Sequence, residues 1–198
     1  MNDDLRTHGL WQTTATPSPA TTTLQDHVDA DVIVIGAGFT GLSTALHLSE
    51  RGTSVVVIEA VEIGFGGSGR NVGLVNAGMW VKPEVVKATL GRVFGERLLT
   101  LLGDAPRLVF DLIKTHGIDC EARHAGTLHC GVGPQGLTEI EERASQWVAH
   151  GAPVRVLDAE ETTARTGARG FSGALFDPRA GTVQPLGYVR GLARAAMK

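Results

Sequence analysis

The sequence predicts an α/β fold: a parallel sheet built on a βαβ unit near the N-terminus, followed by a mixed α+β region. Three observations carry that reading. Residues 31–59 run as apolar strand, glycine-rich turn, helix, second strand and acid. Residues 64–78 form a second glycine-dense loop, and from Pro83 onward the apolar pattern shifts to helical stripes interrupted by short strands.

Taken in order, residues 1–29 are polar, with a Thr/Pro/Ala tract from Thr13 to Thr23 and Trp11 as the one large aromatic group. This composition predicts an extended N-terminal arm or linker with Trp11 packed on the domain surface. Asp31 to Ile35 is a β-branched run, as expected of a strand buried on both faces. Leu42, Ala45, Leu46 and Ser49 mark one helix face that Gly52 ends, and Val55 to Ile58 supplies the next strand. A crossover of this length is right-handed and sets the two strands side by side and parallel.

Beyond the second loop, Val85 to Ile113 predicts two or three helices separated near Gly103 to Pro106, with the Leu/Val stripe serving as helix core rather than a membrane-binding face. Ile118–Arg123 and Gly126–Gly131 suggest a β-hairpin. Leu137, Ile140, Ala144, Trp147 and Val148 share one stripe of a helix ended by Gly151. Val154–Leu157 predicts a strand, Asp158 and Glu161 a capping pair for a short helix, and Phe171–Phe176 a further strand. Pro185 suits the first position of a final helix. The organisation expected is an arm (1–29), a nucleotide-binding segment (30–80), a helical and β segment of a substrate or cap region (81–184), and a helix (185–198) leading into a second half.

Composition narrows the function classes. The net charge of −3 and the lack of a long basic run disfavour nucleic acid and anionic membranes as partners. No apolar run approaches the ~18 residues of a membrane span. Cys120 and Cys130 fit neither a disulfide framework nor a redox pair, and no secretory leader is recognisable, so a cytoplasmic protein is expected. Cys120, His124, His129 and Cys130 match no ligand spacing, and no metal site is expected. Glycine, 26 of 198 residues, exceeds its usual share of about 7%.

The chemistry-bearing motif is Gly36-Ala37-Gly38-Phe39-Thr40-Gly41, directly after a strand and opening a helix, with Glu59 at the end of the following strand. This is the Rossmann-like fingerprint of a dinucleotide site. Gly36 permits the tight turn, Gly38 lets a pyrophosphate approach, and Gly41 lets the helix pack on the strand. Amides around Phe39 and Thr40 supply donors and the positive end of the helix dipole. Glu59, beside Ala60, accepts a ribose 2′-hydroxyl and repels a 2′-phosphate, which disfavours NADP. The second loop, with Ser68, Gly69, Arg70, Asn71, Val72 and Gly73, offers donors along the path of a longer nucleotide and favours FAD over NAD.

The unit Asp31–Glu59 followed by GGSGRNVG resembles the N-terminal half of the FAD-dependent oxidoreductases of the D-amino-acid oxidase superfamily, most of all their gamma-glutamylputrescine oxidoreductase-type members. Weaker likeness continues through Gly117–Cys120, Gly126–Leu128 and Asp177–Gly181. The resemblance implies that Gly36, Gly38, Gly41 and Glu59 hold the ADP portion, and that Ser68, Arg70, Asn71 and Gly73 lie along the pyrophosphate, ribityl chain and flavin. It implies oxidation of a C–H bond beside the nitrogen of an amine or amino acid, with oxygen or another electron acceptor closing the cycle. Some relatives attach FAD through a histidine of this loop. Gly64–Gly73 has none, so FAD is expected to be noncovalent. No residue is identified as catalytic acid or base. Similar enzymes are about twice as long, so an incomplete fold is expected, either a fragment or a natural truncation. The alternatives are a non-catalytic dinucleotide-binding module or truncated subunit, and an NAD-dependent dehydrogenase.

Overall fold

The structure, a computed structural model, describes residues 9–198. The part of the expected arm at positions 1–8 lies outside the described residues. From residue 9 the elements are α1 (Trp11–Thr14), β1 (Val32–Ile35), α2 (Phe39–Ser49), β2 (Val55–Ile58), a 3-10 turn (Gly67–Gly69) and β3 (Leu74–Val75). There follow α3 (Pro83–His116), β4 (Thr127–Gly131), α4 (Gly133–Ala149), β5 (Arg155–Leu157), α5 (Ala159–Thr166), β6 (Gly173–Asp177), β7 (Gly181–Thr182) and α6 (Pro185–Ala196). They pack as two compact units. The first holds the described residues through Leu74 with Asp111–Ala122 and Val183–Lys198; the second holds Val75–Phe110 and Arg123–Thr182.

In the first unit β1 and β2 are parallel, with Val32 opposite Val55 and Ile35 opposite Ile58. Helix α2 packs on this pair and against α6. Leu42, Ala45 and Leu46 of α2 are buried, as are Leu186, Val189, Leu192 and Ala193 of α6, so two amphipathic helices close the core over the sheet. Phe39 and Tyr188 join them, ring centroids 5.4 Å apart. The expectation that β1 is buried on both faces is corrected. Side chains alternate across a strand, and among the described residues only the α2 side is covered; Ile33 and Ile35 are 58% and 87% exposed.

The second unit is built on an antiparallel sheet ordered β4-β6-β5, with Leu128 opposite Phe176 and Val156 opposite Leu175. Its core joins Val86, Leu99, Ile140, Ala144, Trp147, Ala152, Val154 and Leu175. Asp158 caps α5 by accepting the Glu161 N–H at 2.8 Å, while the Glu161 carboxylate turns to Arg155 and Arg165 instead of closing a reciprocal box. Val148, expected on the buried stripe of α4, is exposed.

Two element expectations are revised. The span α3 is two helices that meet at a kink, as expected in number, but the break lies at Gly91, where φ is +73°, and not at Gly103–Pro106. Pro106 lies inside the helix because the carbonyl it deprives of a partner, Leu102 O, accepts the Gly78 N–H at 3.0 Å. The stripe expected to be core divides by face: Val86 and Leu99 are buried, whereas Val85, Val93, Leu101 and Leu108 are exposed. Residues 118–123 form no hairpin with β4. Glu121 adopts φ +49°, which interrupts an extended run, and Arg123 makes a single bridge to Thr182.

Candidate dinucleotide site

The glycine-rich turn leaves β1 at Gly36, whose N–H donates to Ile58 O at 2.7 Å and whose φ of +99° suits a residue without Cβ. Gly41 is demanded by closeness instead: a Cβ there would lie 2.0 Å from Gly36 O and 3.2 Å from Val34 Cγ1. Helix α2 therefore sits against the strand end only because position 41 has no side chain. Gly38, the N-cap of α2, has ordinary extended backbone, and a Cβ on it would meet Ser68 Oγ at 2.9 Å.

That last contact shows that the two glycine-rich stretches form one structure. Ser68 Oγ accepts the Phe39 N–H at 2.9 Å, at the start of α2, and Gly64 N–H donates to Ala37 O at 3.0 Å. Glu59 reaches back to the same turn, its Oε2 accepting Ala37 N–H at 2.8 Å and its Oε1 accepting Val61 N–H at 3.1 Å. Each carboxylate oxygen keeps a free lone pair, so the acid can still accept from a hydroxyl. Two turn amides are thus held by side chains from positions 59 and 68.

Within the second loop, Asn71 does the folding. Its Nδ2 donates to Gly67 O and Ser68 O, both at 3.0 Å, and its Oδ1 accepts Gly73 N–H at 2.8 Å. Gly69 and Gly73 are buried, Val72 is exposed, and Gly73 O accepts Val183 N–H at 2.8 Å. Arg70 lies over the Phe65 ring, its guanidinium carbon 4.4 Å from the centroid, and its Nε and Nη2 are buried without a hydrogen-bond partner. Buried guanidinium donors left unpaired are costly, and they mark a place suited to an anionic or carbonyl-bearing group.

Phe65 and Trp11 had not been assigned to this site from the sequence. Phe65, an aromatic residue inside a glycine-dense loop, is the platform for Arg70, and the Trp11 indole N–H donates to Asn71 O at 2.9 Å. The only sequence signal for either was a large ring where composition called for none.

His129 stacks on Trp80 at 5.2 Å and His124 on Phe110 at 4.1 Å. Among the described residues no group of three or more His, Cys, Asp or Glu is placed to hold a metal ion, and no helix is long and apolar enough to cross a membrane. Burial pushes the Cys120 thiol up to about 12, with the Asp119 carboxylate adding to the effect, so this cysteine is a neutral packing group.

The signature of the FAD dependent oxidoreductase family, DAO, matches residues 31–198. The chain is 34% identical over 174 residues to gamma-glutamylputrescine oxidoreductase of Escherichia coli strain K12, covering 87% of this chain and 41% of that protein. It is 35% identical over 171 residues to the probable oxidoreductase OrdL of Rhizobium meliloti strain 1021, covering 84% and 39%. The chain therefore spans about two fifths of the length of these relatives. Among solved structures, L-amino acid deaminase from Proteus myxofaciens superposes with a TM-score of 0.72 at 25% identity, over 93% of this chain and 39% of that one. Glycine oxidase from Geobacillus kaustophilus gives 0.65 at 24% identity, over 85% and 44%. The chain belongs to the FAD dependent oxidoreductase family.

Proposed function

We propose that this chain provides the FAD-holding part of an oxidoreductase acting on an amine or amino acid. The observation that supports this most is the fusion of the two glycine-rich stretches through Ser68 and Phe39, with the unpaired Arg70 donors beside them. In this reading, residues 30–80 are the nucleotide-binding segment. The Gly36–Gly41 turn receives the diphosphate at the positive end of α2, and Glu59, beside Ala60, accepts a ribose hydroxyl with the lone pairs left by Ala37 and Val61.

Ser68, Gly69, Arg70, Asn71, Val72 and Gly73 line the continuing nucleotide. The Ser68 hydroxyl accepts from Phe39 and keeps its own proton to donate, which suits a phosphate oxygen. Arg70 supplies fixed positive charge where the cofactor is anionic. The 36–41 turn, Glu59 and residues 68–73 would hold FAD, which would supply at N5 a two-electron acceptor for the hydride on the carbon beside the substrate nitrogen, so that the substrate would become an imine open to hydrolysis by water. The chain's part is to bind and orient that cofactor. With no histidine in residues 64–73, attachment is noncovalent, and oxygen or another acceptor reoxidises the enzyme.

The test is direct. Purified chain should show visible flavin absorbance or acquire it on adding FAD, and acid precipitation should release the flavin into the supernatant. Colourless protein that rejects FAD defeats the reading, and flavin carried down in the pellet defeats noncovalent attachment. The relative named for gamma-glutamylputrescine makes that compound the first amine to assay with the FAD-loaded protein.

A further inference from the structure

We propose that residues Trp11–Pro17 are a strap that locks the second glycine-rich loop in its cofactor-receiving shape, with Trp11 as the positioning residue; this rests on the dinucleotide reading above. A four-residue helix in a polar tract has no stability of its own, so α1 owes its position to its contacts.

Those contacts anchor it on α6. Gln184, the N-cap of α6, donates from Nε2 to Trp11 O at 2.7 Å and to Thr14 Oγ1 at 3.1 Å, while its Oε1 accepts Gly187 N–H at 2.6 Å. Arg190, 3% exposed, donates to Thr16 O and Gln12 Oε1, both at 3.1 Å. Arg194 donates to Pro17 O at 2.8 Å and Thr16 Oγ1 at 2.7 Å. A chain segment needing only to be kept out of the way would not draw a buried glutamine and a buried arginine.

From that anchorage the strap reaches the loop through the Trp11 indole. The Trp11 indole N–H meets Asn71 O at 2.9 Å, and the amide side chain of that same asparagine ties Gly67, Ser68 and Gly73 together. Ser68 in turn holds the Phe39 N–H. One connection therefore runs from α6 through the strap to Asn71, then Ser68, then the first amide of α2, beside the direct packing of α6 on the Gly67–Gly69 turn. Removing the indole donor leaves Asn71 O without this bond and frees the loop's hinge while α6 keeps its own packing.

The experiment is hydrogen–deuterium exchange on the ligand-free full chain, paired with FAD titration by flavin fluorescence. Trp11→Phe keeps an aromatic ring and deletes the donor. Exchange in the peptide covering residues 66–73 should rise about fivefold, with α6 unchanged, and FAD affinity should fall by a similar factor. Arg194→Ala, which loosens the strap without touching Trp11, should raise exchange at residues 66–73 in the same direction by a smaller factor. Unchanged exchange there in both variants, or a rise spread equally over the loop and α6, overturns the strap. Wild-type chain that takes up no FAD overturns the dinucleotide reading instead, and loop exchange still decides the strap.

Discussion

Ser68 Oγ accepts the Phe39 N–H at 2.9 Å, so a residue of the second glycine-rich loop caps the helix that the first one opens. Ser68→Ala leaves that amide part-buried and unpaired, a loss of about 1 kcal/mol. Thermal melting of the ligand-free chain should drop by roughly 2–4 °C. FAD affinity should fall about fivefold or more, because the hydroxyl's own donor is lost as well. A change in affinity with no change in melting would mean that Ser68 serves only the cofactor.

Gly38 faces the same hydroxyl, and its backbone would accept any residue. Gly38→Val places branched carbons where Ser68 Oγ already lies 2.9 Å from a Cβ, so the Ser68 hydroxyl must swing off the Phe39 amide or its loop must shift, and the added carbons fill the diphosphate's approach. FAD binding measured by fluorescence quenching should vanish while the far-ultraviolet circular dichroism stays close to wild type. Unchanged affinity would show that the diphosphate lies elsewhere.

Arg70 should show effects of opposite sign on stability and binding. Its Nε and Nη2 are buried without partners, so Arg70→Met keeps an unbranched apolar side chain beside Phe65 and removes groups whose burial is unfavourable. The ligand-free chain should melt at the same temperature or higher, while FAD binds about 10-fold to 100-fold more weakly, the range of a charge-assisted hydrogen bond. A variant that loses stability and keeps affinity would make Arg70 a packing residue.

The glycines of the first motif separate two physical demands that one sequence pattern merges. Gly36→Ala meets no atom within 4 Å but must hold φ at +99°, which costs roughly 1–2 kcal/mol. Gly41→Ala keeps good backbone and drives its Cβ to 2.0 Å from Gly36 O, where no side chain can swing aside, and should cost at least about 3 kcal/mol. Urea unfolding of both variants checks the order; equal losses would show that α2 can slide.

How much of this was legible follows from how far each contact reaches along the chain. The roles of Gly36 and Gly41 sit inside one short motif whose spacing is its mechanism. Asp158 and Pro185 were legible for the same reason, since caps act within one turn. Ser68 to Phe39 and Trp11 to Asn71 join positions 29 and 60 residues apart through single polar atoms, and no periodicity announces such a pair. Pro106 misled because its usual meaning, a helix end, holds only while the Leu102 carbonyl lacks another donor, and Gly78 supplies one. The exposed side of β1 was illegible because Val32 to Ile35 is equally β-branched on both faces, so the residues themselves carry no inside and outside.

Cys120 provides a pH test independent of any cofactor. Its thiol is pushed up from the ordinary 9.0 to about 12 in the folded chain, chiefly by burial, and then by the Asp119 carboxylate. Below pH 9 folded and unfolded chains both carry the neutral thiol, and its burial contributes fully. Between pH 9 and about 12 the unfolded chain loses the proton and the folded one does not, so stability falls with rising pH, by at most about 4 kcal/mol. Tyr188, also raised to about 12 by burial, titrates in the upper part of that window and adds to the slope. Urea midpoints at pH 8 and pH 10.5 should therefore separate more in wild type than in Cys120→Ala, and a thiol reagent at pH 8 should label the less buried Cys130 first, reaching Cys120 only on unfolding. Equal labelling of both cysteines in the native chain would place Cys120 at the surface and remove the basis of the alkaline slope.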